Sequence, residues 1–360
     1  MCKPKNNLSY VGGEFLYKVG MCGHFARSKN LSNGQTIKTK QLHEELSLVI
    51  GRESVYIVDT HQWRRNPAKL LVNSVKLLIQ CENVIILPAH NGIKVFALLF
   101  SLLNKFFKRK LHYVVIGGWL PKLLEENATL KRHLYNFDGI YVETNVMING
   151  LKKMGFKNIR YLPNFKRLDI LLYEELEYTT SEPYKLCTFS RVIKEKGIEN
   201  AIKTVHKINR RQNRTAYTLD IYGQIEDNYK KEFQKLIESS PEYVRYKGLI
   251  DYSESTSVLR KYFALLFPTQ FKTEGIPGTI IDAYTAGLPV IASKWESSEE
   301  IIDQYSTGII YDFDNENGLE ESLMKVLANP KMINQMKVNC LKKAEKYTPE
   351  VAISEFIKYL

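Results

Sequence analysis

The stretch Glu274-Gly275-Ile276-Pro277-Gly278-Thr279-Ile280-Ile281-Asp282-Ala283-Tyr284 decides how the chain is read. An apolar run, Ala264 to Pro268, precedes it and another, Val290-Ile291-Ala292, follows it, and both read as buried strands. Pro277 fits the first turn of a helix, where its missing N–H costs nothing, and Gly287 with Pro289 reads as the helix stop. The unit is strand, loop, helix, strand. In a parallel sheet that order leaves the helix N-terminus at the carboxyl edge of the strands, where ligands bind. The amides of Gly275, Ile276 and Gly278, with the helix dipole, suit a phosphate. Glu274 and Asp282 flank that seat. A carboxylate there is badly placed to hold the anion. It is well placed to accept hydrogen bonds from hydroxyls carried with the anion, as on a sugar or a ribose.

Upstream, Leu186 to Ser190 reads as a strand running into Arg191-Val192-Ile193-Lys194-Glu195-Lys196-Gly197. The helix beginning at Ile198 carries Ile198, Ala201, Ile202, Val205 and Ile208 on one face. Two cations five residues apart before a helix suit a diphosphate, Arg191 as a fork and Lys196 as a point charge. Leu219 to Gly223 is a strand and glycine turn, Val244 to Ile250 another strand, and Gly308 to Tyr311 the last, followed by a helix from Asn317 to Leu327. Asp312-Phe313-Asp314 spells an Asp-x-Asp metal motif, but its polar surroundings read as a solvated turn and helix cap.

The first half repeats the alternation. Strands are expected at Leu16–Cys22, Val55–Val58, Val84–Pro88, Tyr113–Ile116, Ile140–Glu143 and Ile159–Leu162, with helices near 37–48, 66–80 and 146–154. This argues a doubly wound α/β domain. Ser32-Asn33-Gly34 lies just before a helix, where a glycine lets the backbone approach a ligand. The segment 93–110 has a wide apolar surface ending in Lys105, Lys108, Arg109 and Lys110. It reads either as a buried helix with a basic C-terminus or as a helix at a membrane interface.

At 360 residues the chain suits two domains, and 44% hydrophobic with 25% charged residues excludes a disordered chain. Cys2, Cys22, Cys81, Cys187 and Cys340 show no metal-ligand spacing and read as reduced thiols. The polar start, Met1 to Asn7, lacks an apolar signal region, and no window is long enough to span a bilayer. Residues 1–165 hold 24 Lys and Arg against 10 Asp and Glu, whereas residues 166–360 hold 27 against 29. The positive excess lies wholly in the first half and implies an anionic partner there: a membrane surface, a phosphorylated lipid or nucleic acid. Nucleic acid is not expected, since no binding motif for it appears.

The Glu274 to Asp282 pattern resembles the paired-acid signature of the retaining, nucleotide-sugar-dependent glycosyltransferases of family 4. The flanking Ala286-Gly287-Leu288-Pro289-Val290 is similar to that family's block, and Arg191 with Lys196 matches its Arg-x-x-x-x-Lys-Gly element. The usual second acid is Glu, and Asp282 is one methylene shorter. The resemblance implies the GT-B fold, two Rossmann-like doubly wound domains facing each other across a cleft. An acceptor-side domain would span 1–165 and a nucleotide-sugar domain 166–345, and a C-terminal helix, 346–360, would cross back to the first.

The resemblance further implies that Arg191 and Lys196 stabilise the leaving diphosphate and that Glu274 orients the sugar. Asp282 would bind the ribose, while Gly34, Gly223, Gly275, Ile276, Pro277 and Gly278 line the donor. Where many relatives carry a histidine facing the sugar, this chain has Gly117-Gly118. Those glycines would admit a bulky acceptor, with Trp119 to stack on a sugar ring and His90 as a substitute polar group. No cofactor or metal is expected; the nucleotide-sugar donor, UDP-sugar favoured, is a substrate. The acceptor would be a glycolipid or oligosaccharide in bacterial surface-glycan synthesis, handled in the cytoplasm at the inner membrane face. A nucleotide-sugar epimerase of the same fold, or a non-catalytic donor-binding subunit, are the alternatives.

Overall fold

The computed structural model describes residues 15–27 and 34–360. Cys2, the polar start of the chain, and Ser32 and Asn33 lie outside the described residues. Two six-stranded parallel sheets carry the architecture, and helices alternate with the strands in both. The first contains β1 (Tyr17–Gly23), β2 (Val55–Asp59), β3 (Cys81–Leu87), β4 (Lys110–Val114), β5 (Gly139–Val142) and β6 (Ile159–Tyr161), in the order β2-β1-β3-β4-β5-β6. The second contains β7 (Tyr184–Phe189), β8 (Tyr217–Tyr222), β9 (Val244–Gly248), β10 (Ala264–Phe267), β11 (Val290–Ser293) and β12 (Gly308–Tyr311), in the order β12-β11-β10-β7-β8-β9. The doubly wound reading holds for both halves.

By packing, the chain forms two compact units. One comprises the described residues up to Val115 with Asn127–Tyr141 and Ile357–Leu360; the other comprises Ile116–Glu126 and Val142–Phe356. The sequence suggested a crossing near residue 165 and a return at 346–360; the units interleave along the sequence, with Ile116–Glu126 and Val142–Phe356 in one and Ile357–Leu360 in the other.

In the second sheet β7 lies between β8 and β10, so the strand order reverses beside it. Such a reversal opens a crevice at the carboxyl ends of the two central strands. The apolar face expected for the helix Ile198–Gln212 is the buried one: Ile198, Ala201, Ile202, Val205 and Ile208 join the sheet's core. The helix after the Glu274 loop runs Gly278–Thr285, so Pro277 is its N-cap rather than part of its first turn. Its end is as expected. Gly287 takes a left-handed φ of 62°, and Leu288 N–H returns to Ala283 O at 2.8 Å, the closing bond of a Schellman motif.

The helix His90–Phe107 covers one face of the segment 93–110 and leaves the other open. Ile93, Phe96, Ala97 and Phe100 are buried, while Val95, Leu98, Leu102 and Phe106 remain exposed, Phe106 by 84%. The C-terminal helix is shorter than expected, Pro349–Phe356 with a 3-10 turn after it. Asp312 to Asn317 forms a turn leading into the helix Gly318–Ala328. The described cysteines, Cys22, Cys81, Cys187 and Cys340, are free and buried.

Helix Lys331–Ala344 packs on Gly278–Thr285 and buries Lys337, which is 1% exposed, with Nζ 3.4 Å from Tyr262 O. Burial pushes the Lys337 pKa down to about 8. The folded state therefore prefers the neutral amine. Its contribution to stability is full above the unfolded pKa near 10.5 and is lost as pH falls through about 8. Lys337→Met should raise the melting temperature at pH 7, relieving a cost on the order of 3 kcal/mol. The gain should shrink as pH approaches 10; thermal melts of both proteins at the two pH values check this.

Candidate functional site

The loops after β7 and β10 meet at the reversal in the second sheet. Lys196, at the end of a 3-10 turn Lys194–Lys196, forms an ion pair with Glu274 Oε1. Its ammonium also lies over the Phe267 and Phe271 rings, 5.0 and 5.2 Å from their centroids. Both partners are mostly buried, so neither charge is fully repaid by water. Thr269 Oγ1 donates to the same Glu274 oxygen at 3.0 Å and accepts Phe271 N–H, which fixes the carboxylate's rotamer. Ser297 Oγ donates to Glu274 O at 3.1 Å. Arg191 is on the same β7 loop, half-exposed, and pairs with Glu226 at 2.8 Å. Gly223 ends β8 beside it, and its carbonyl accepts Tyr246 O–H at 2.8 Å.

The backbone seat differs from expectation at one amide. Ile276 N–H donates to Glu143 Oε2 at 2.9 Å, so an internal carboxylate already takes it. Glu143 follows β5 and is 2% exposed. Its Oε2 would stand 2.0 Å from a Cβ at Gly275, which is why that position has no side chain. Gly118 is tight for a related reason. Its N–H donates to Thr273 O at 3.2 Å, and a Cβ there would lie 2.7 Å from Glu274 O and 2.8 Å from Thr273 O. The room expected beside Gly118 for a bulky acceptor is thus filled by backbone. Gly117 precedes it with φ 88°, and Trp119, half-buried, donates Nε1–H to Ile116 O at 2.7 Å.

Asp282 also has a different partner from the ribose expected for it. Both its oxygens bond Lys166 Nζ, at 2.7 and 2.6 Å, and the residue is 3% exposed. Burial raises its pKa, and Lys166 works against that shift. With one methylene fewer than Glu, the carboxylate stays inside the helix packing, and Lys166 extends to reach it. The Lys166 side chain passes 3.0 Å from a Cβ built at Gly278, at the helix start. Asn164 Nδ2 donates to Ile276 O at 2.9 Å, holding the segment before that helix.

In the first unit, Gly34 opens the helix Gly34–Ile50, and His90 opens the helix His90–Phe107 with an exposed ring 3.3 Å from Asn91 Oδ1. A further polar cluster sits at the carboxyl ends of β1 and β2. Asp59 accepts the N–H groups of Phe25, Ala26, Arg27 and His61, and His24 links Thr36 Oγ1 to His61 Nδ1. Burial and the neighbouring His61 lower the His24 pKa.

Arg191, Lys196 and Glu274 thus lie on the loops after two neighbouring strands, while Glu143, Lys166, Thr269 and the His24–His61 pair are polar groups that the sequence does not single out. Glu143 had one signal, a charged residue at the carboxyl end of an apolar strand. The others had none.

Residues 177–343 match the family Glycosyl transferases group 1, an interval that holds Arg191, Lys196, Glu274 and Asp282. The second half of the chain is therefore similar to group 1 glycosyl transferases. An uncharacterized glycosyltransferase of Methanocaldococcus jannaschii is 20% identical over 242 residues, 62% of this chain and 61% of that protein. Sucrose-phosphate synthase of Thermosynechococcus elongatus superposes with TM-score 0.73 at 13% identity, covering 95% of this chain and 98% of that one. Anabaena HepE, solved with UDP-glucose, gives 0.69 at 13% identity, covering 95% and 100%. Staphylococcus aureus TarM, solved with UDP, gives 0.59 at 17% identity, covering 80% of this chain and 58% of its own. The chain thus spans about three fifths of the Methanocaldococcus protein and of TarM. The fold is GT-B.

Filling the space at the two crowded glycines should show their role. Gly275→Ala and Gly118→Ala should each destabilise by roughly 1–3 kcal/mol, as overpacking does. Gly34→Ala, with nothing within 4 Å of the added carbon, should be close to neutral by the same denaturation measurement.

Proposed function

We propose that this chain is a retaining glycosyltransferase that moves a sugar from a nucleotide diphosphate, UDP favoured, to a hydroxyl of a lipid-linked or polysaccharide acceptor. The observation that carries it is the Lys196–Glu274 pair at the strand reversal, with Arg191 on the same loop as Lys196. A diphosphate needs cations and a sugar needs hydroxyl acceptors; the two loops supply one each. In this reading the donor side lies in 166–345 and the acceptor side in 1–165.

Arg191 and Lys196 exchange their carboxylate partners for the diphosphate oxygens. As the C1–O bond to phosphate breaks, negative charge grows on the leaving group, and fixed cations act most strongly there. The acceptor oxygen forms the new bond to C1, and the leaving diphosphate takes its proton. Glu274, released from Lys196, accepts hydrogen bonds from the sugar. Asp282 acts through Lys166, keeping the helix start in place. Gly223 lies under the nucleotide, and Trp119 and His90 stay on the acceptor side.

Membrane association at the inner face of the cell membrane fits the first half. Among the described residues no helix is long and apolar enough to cross a membrane. The helix His90–Phe107 instead shows solvent an apolar stripe of Val95, Leu98, Leu102 and Phe106, with Lys94, Lys105 and Lys108 close in sequence. Such a face suits the surface of an anionic bilayer, as in surface-glycan synthesis.

Two experiments test these readings. With UDP-sugar and acceptor, Lys196→Ala should lower turnover by about 10²–10³ while the protein stays folded. Undiminished turnover in Lys196→Ala and Arg191→Ala alike would sink the donor assignment. For the membrane, anionic vesicles should sediment the protein in a salt-sensitive manner, and Leu102→Glu with Phe106→Glu should abolish this. Equal binding to neutral vesicles would dismiss the surface.

A further inference from the structure

Within the unit formed by Ile116–Glu126 and Val142–Phe356, one carboxylate joins two segments far apart in the chain. Glu300, on the short helix Ser298–Ile301, accepts Asn145 N–H at 2.7 Å and Asn145 Nδ2–H at 3.1 Å on one oxygen. Its other oxygen accepts Val146 N–H at 2.6 Å. These amides open the helix Asn145–Lys153, and Thr144 Oγ1 takes the next, Met147 N–H, at 3.3 Å. The first amides of a helix need acceptors from outside it, and the dipole there favours a negative one. A carboxylate from 155 residues away supplies both and also fixes where the helix sits.

Each end of that connection leads to a part of the proposed site. At one end is Ser297, the residue before the helix of Glu300, which is 3% exposed. It accepts Trp295 Nε1–H at 3.1 Å and donates to Glu274 O at 3.1 Å. At the other end, the helix Asn145–Lys153 packs on the helix Leu120–Glu125, whose N-cap is Trp119. The approach is close: a Cβ at Gly150 would stand 3.3 Å from Pro121 Cβ. In the middle, Lys343 Nζ donates to Glu300 O at 3.3 Å and holds the backbone there. A stiff, packed middle transmits a displacement instead of absorbing it.

We infer that Glu300 is a positioning residue that couples the Glu274 loop to the Trp119 segment. When a diphosphate takes Lys196 away from Glu274, the change at Glu274 passes through Ser297 and Glu300 to the helix Asn145–Lys153, and from there to Leu120–Glu125. Hydrogen bonds and rigid elements carry such coupling, and the Lys196–Glu274 pair, closed or opened by ligand, is the element with two states. The inference rests on the donor-site reading given above.

The test is hydrogen exchange of the helices Asn145–Lys153 and Leu120–Glu125, without UDP and with UDP saturating for each protein. In the wild-type chain UDP should change exchange in both helices by about fivefold or more. Ser297→Ala leaves every bond of the helix Asn145–Lys153 in place, so its exchange without UDP should match wild type, and the response to UDP should vanish. Glu300→Ala should speed exchange at the start of that helix and also remove the response in Leu120–Glu125, which Glu300 does not touch. A wild type that binds UDP with no response in these helices, or a response that persists in either folded variant, would overturn the role of Glu300. Failure of the wild type to bind UDP would overturn the donor-site reading and the inference with it. Melting curves check the fold of the variants, and either variant serves if the other does not fold.

Discussion

A lysine and a glutamate separated by 78 residues join the two loops at the centre of the second sheet. Lys196 leaves β7 and Glu274 leaves β10, and the two loops meet because these strands are neighbours at the point where the strand order reverses. The pair is mostly buried, so removing either partner leaves a charge with poor solvation, a loss on the order of 3–5 kcal/mol in comparable buried pairs. The surroundings reinforce it. Two aromatic rings lie under the ammonium and Thr269 fixes the carboxylate, so the site is ordered before any ligand arrives.

Around that pair, the loop after β7 brings Arg191 and Lys196 and the loop after β10 brings Glu274, while Glu143 lies against the segment that follows it. The Lys166–Asp282 pair lies behind, within the helix packing, where it sets the position of the helix start. Electrostatics thus does two jobs here, joining the loops and bracing the backbone that follows them.

Much of this was legible in the sequence where the signal is local. The face Ile198, Ala201, Ile202, Val205 and Ile208 follows from a 3.6-residue period, and Gly287 marks a helix end because a left-handed residue is needed there. Arg191 and Lys196 stand out as cations between a strand and a helix. Errors arose where one residue type serves two purposes. Gly118 reads as open space, yet it has no side chain because the Thr273–Glu274 backbone is pressed against it. Pro277 sits one position earlier than expected, as N-cap, because proline's φ suits either place. The apolar surface of 93–110 is too wide for periodicity to say which side is covered.

The sequence by itself determined the alternation of strand and helix, the two-sheet α/β class and the cation and acid loops, since all of these depend on neighbours within about a dozen residues. Only the tertiary structure decided what those loops touch. Glu143 reaches Ile276 across 133 residues and Lys166 reaches Asp282 across 116. No local pattern encodes such pairs. They form because the fold packs segments far apart in the chain side by side, and a buried charge or amide must then find its partner among whatever has been placed beside it.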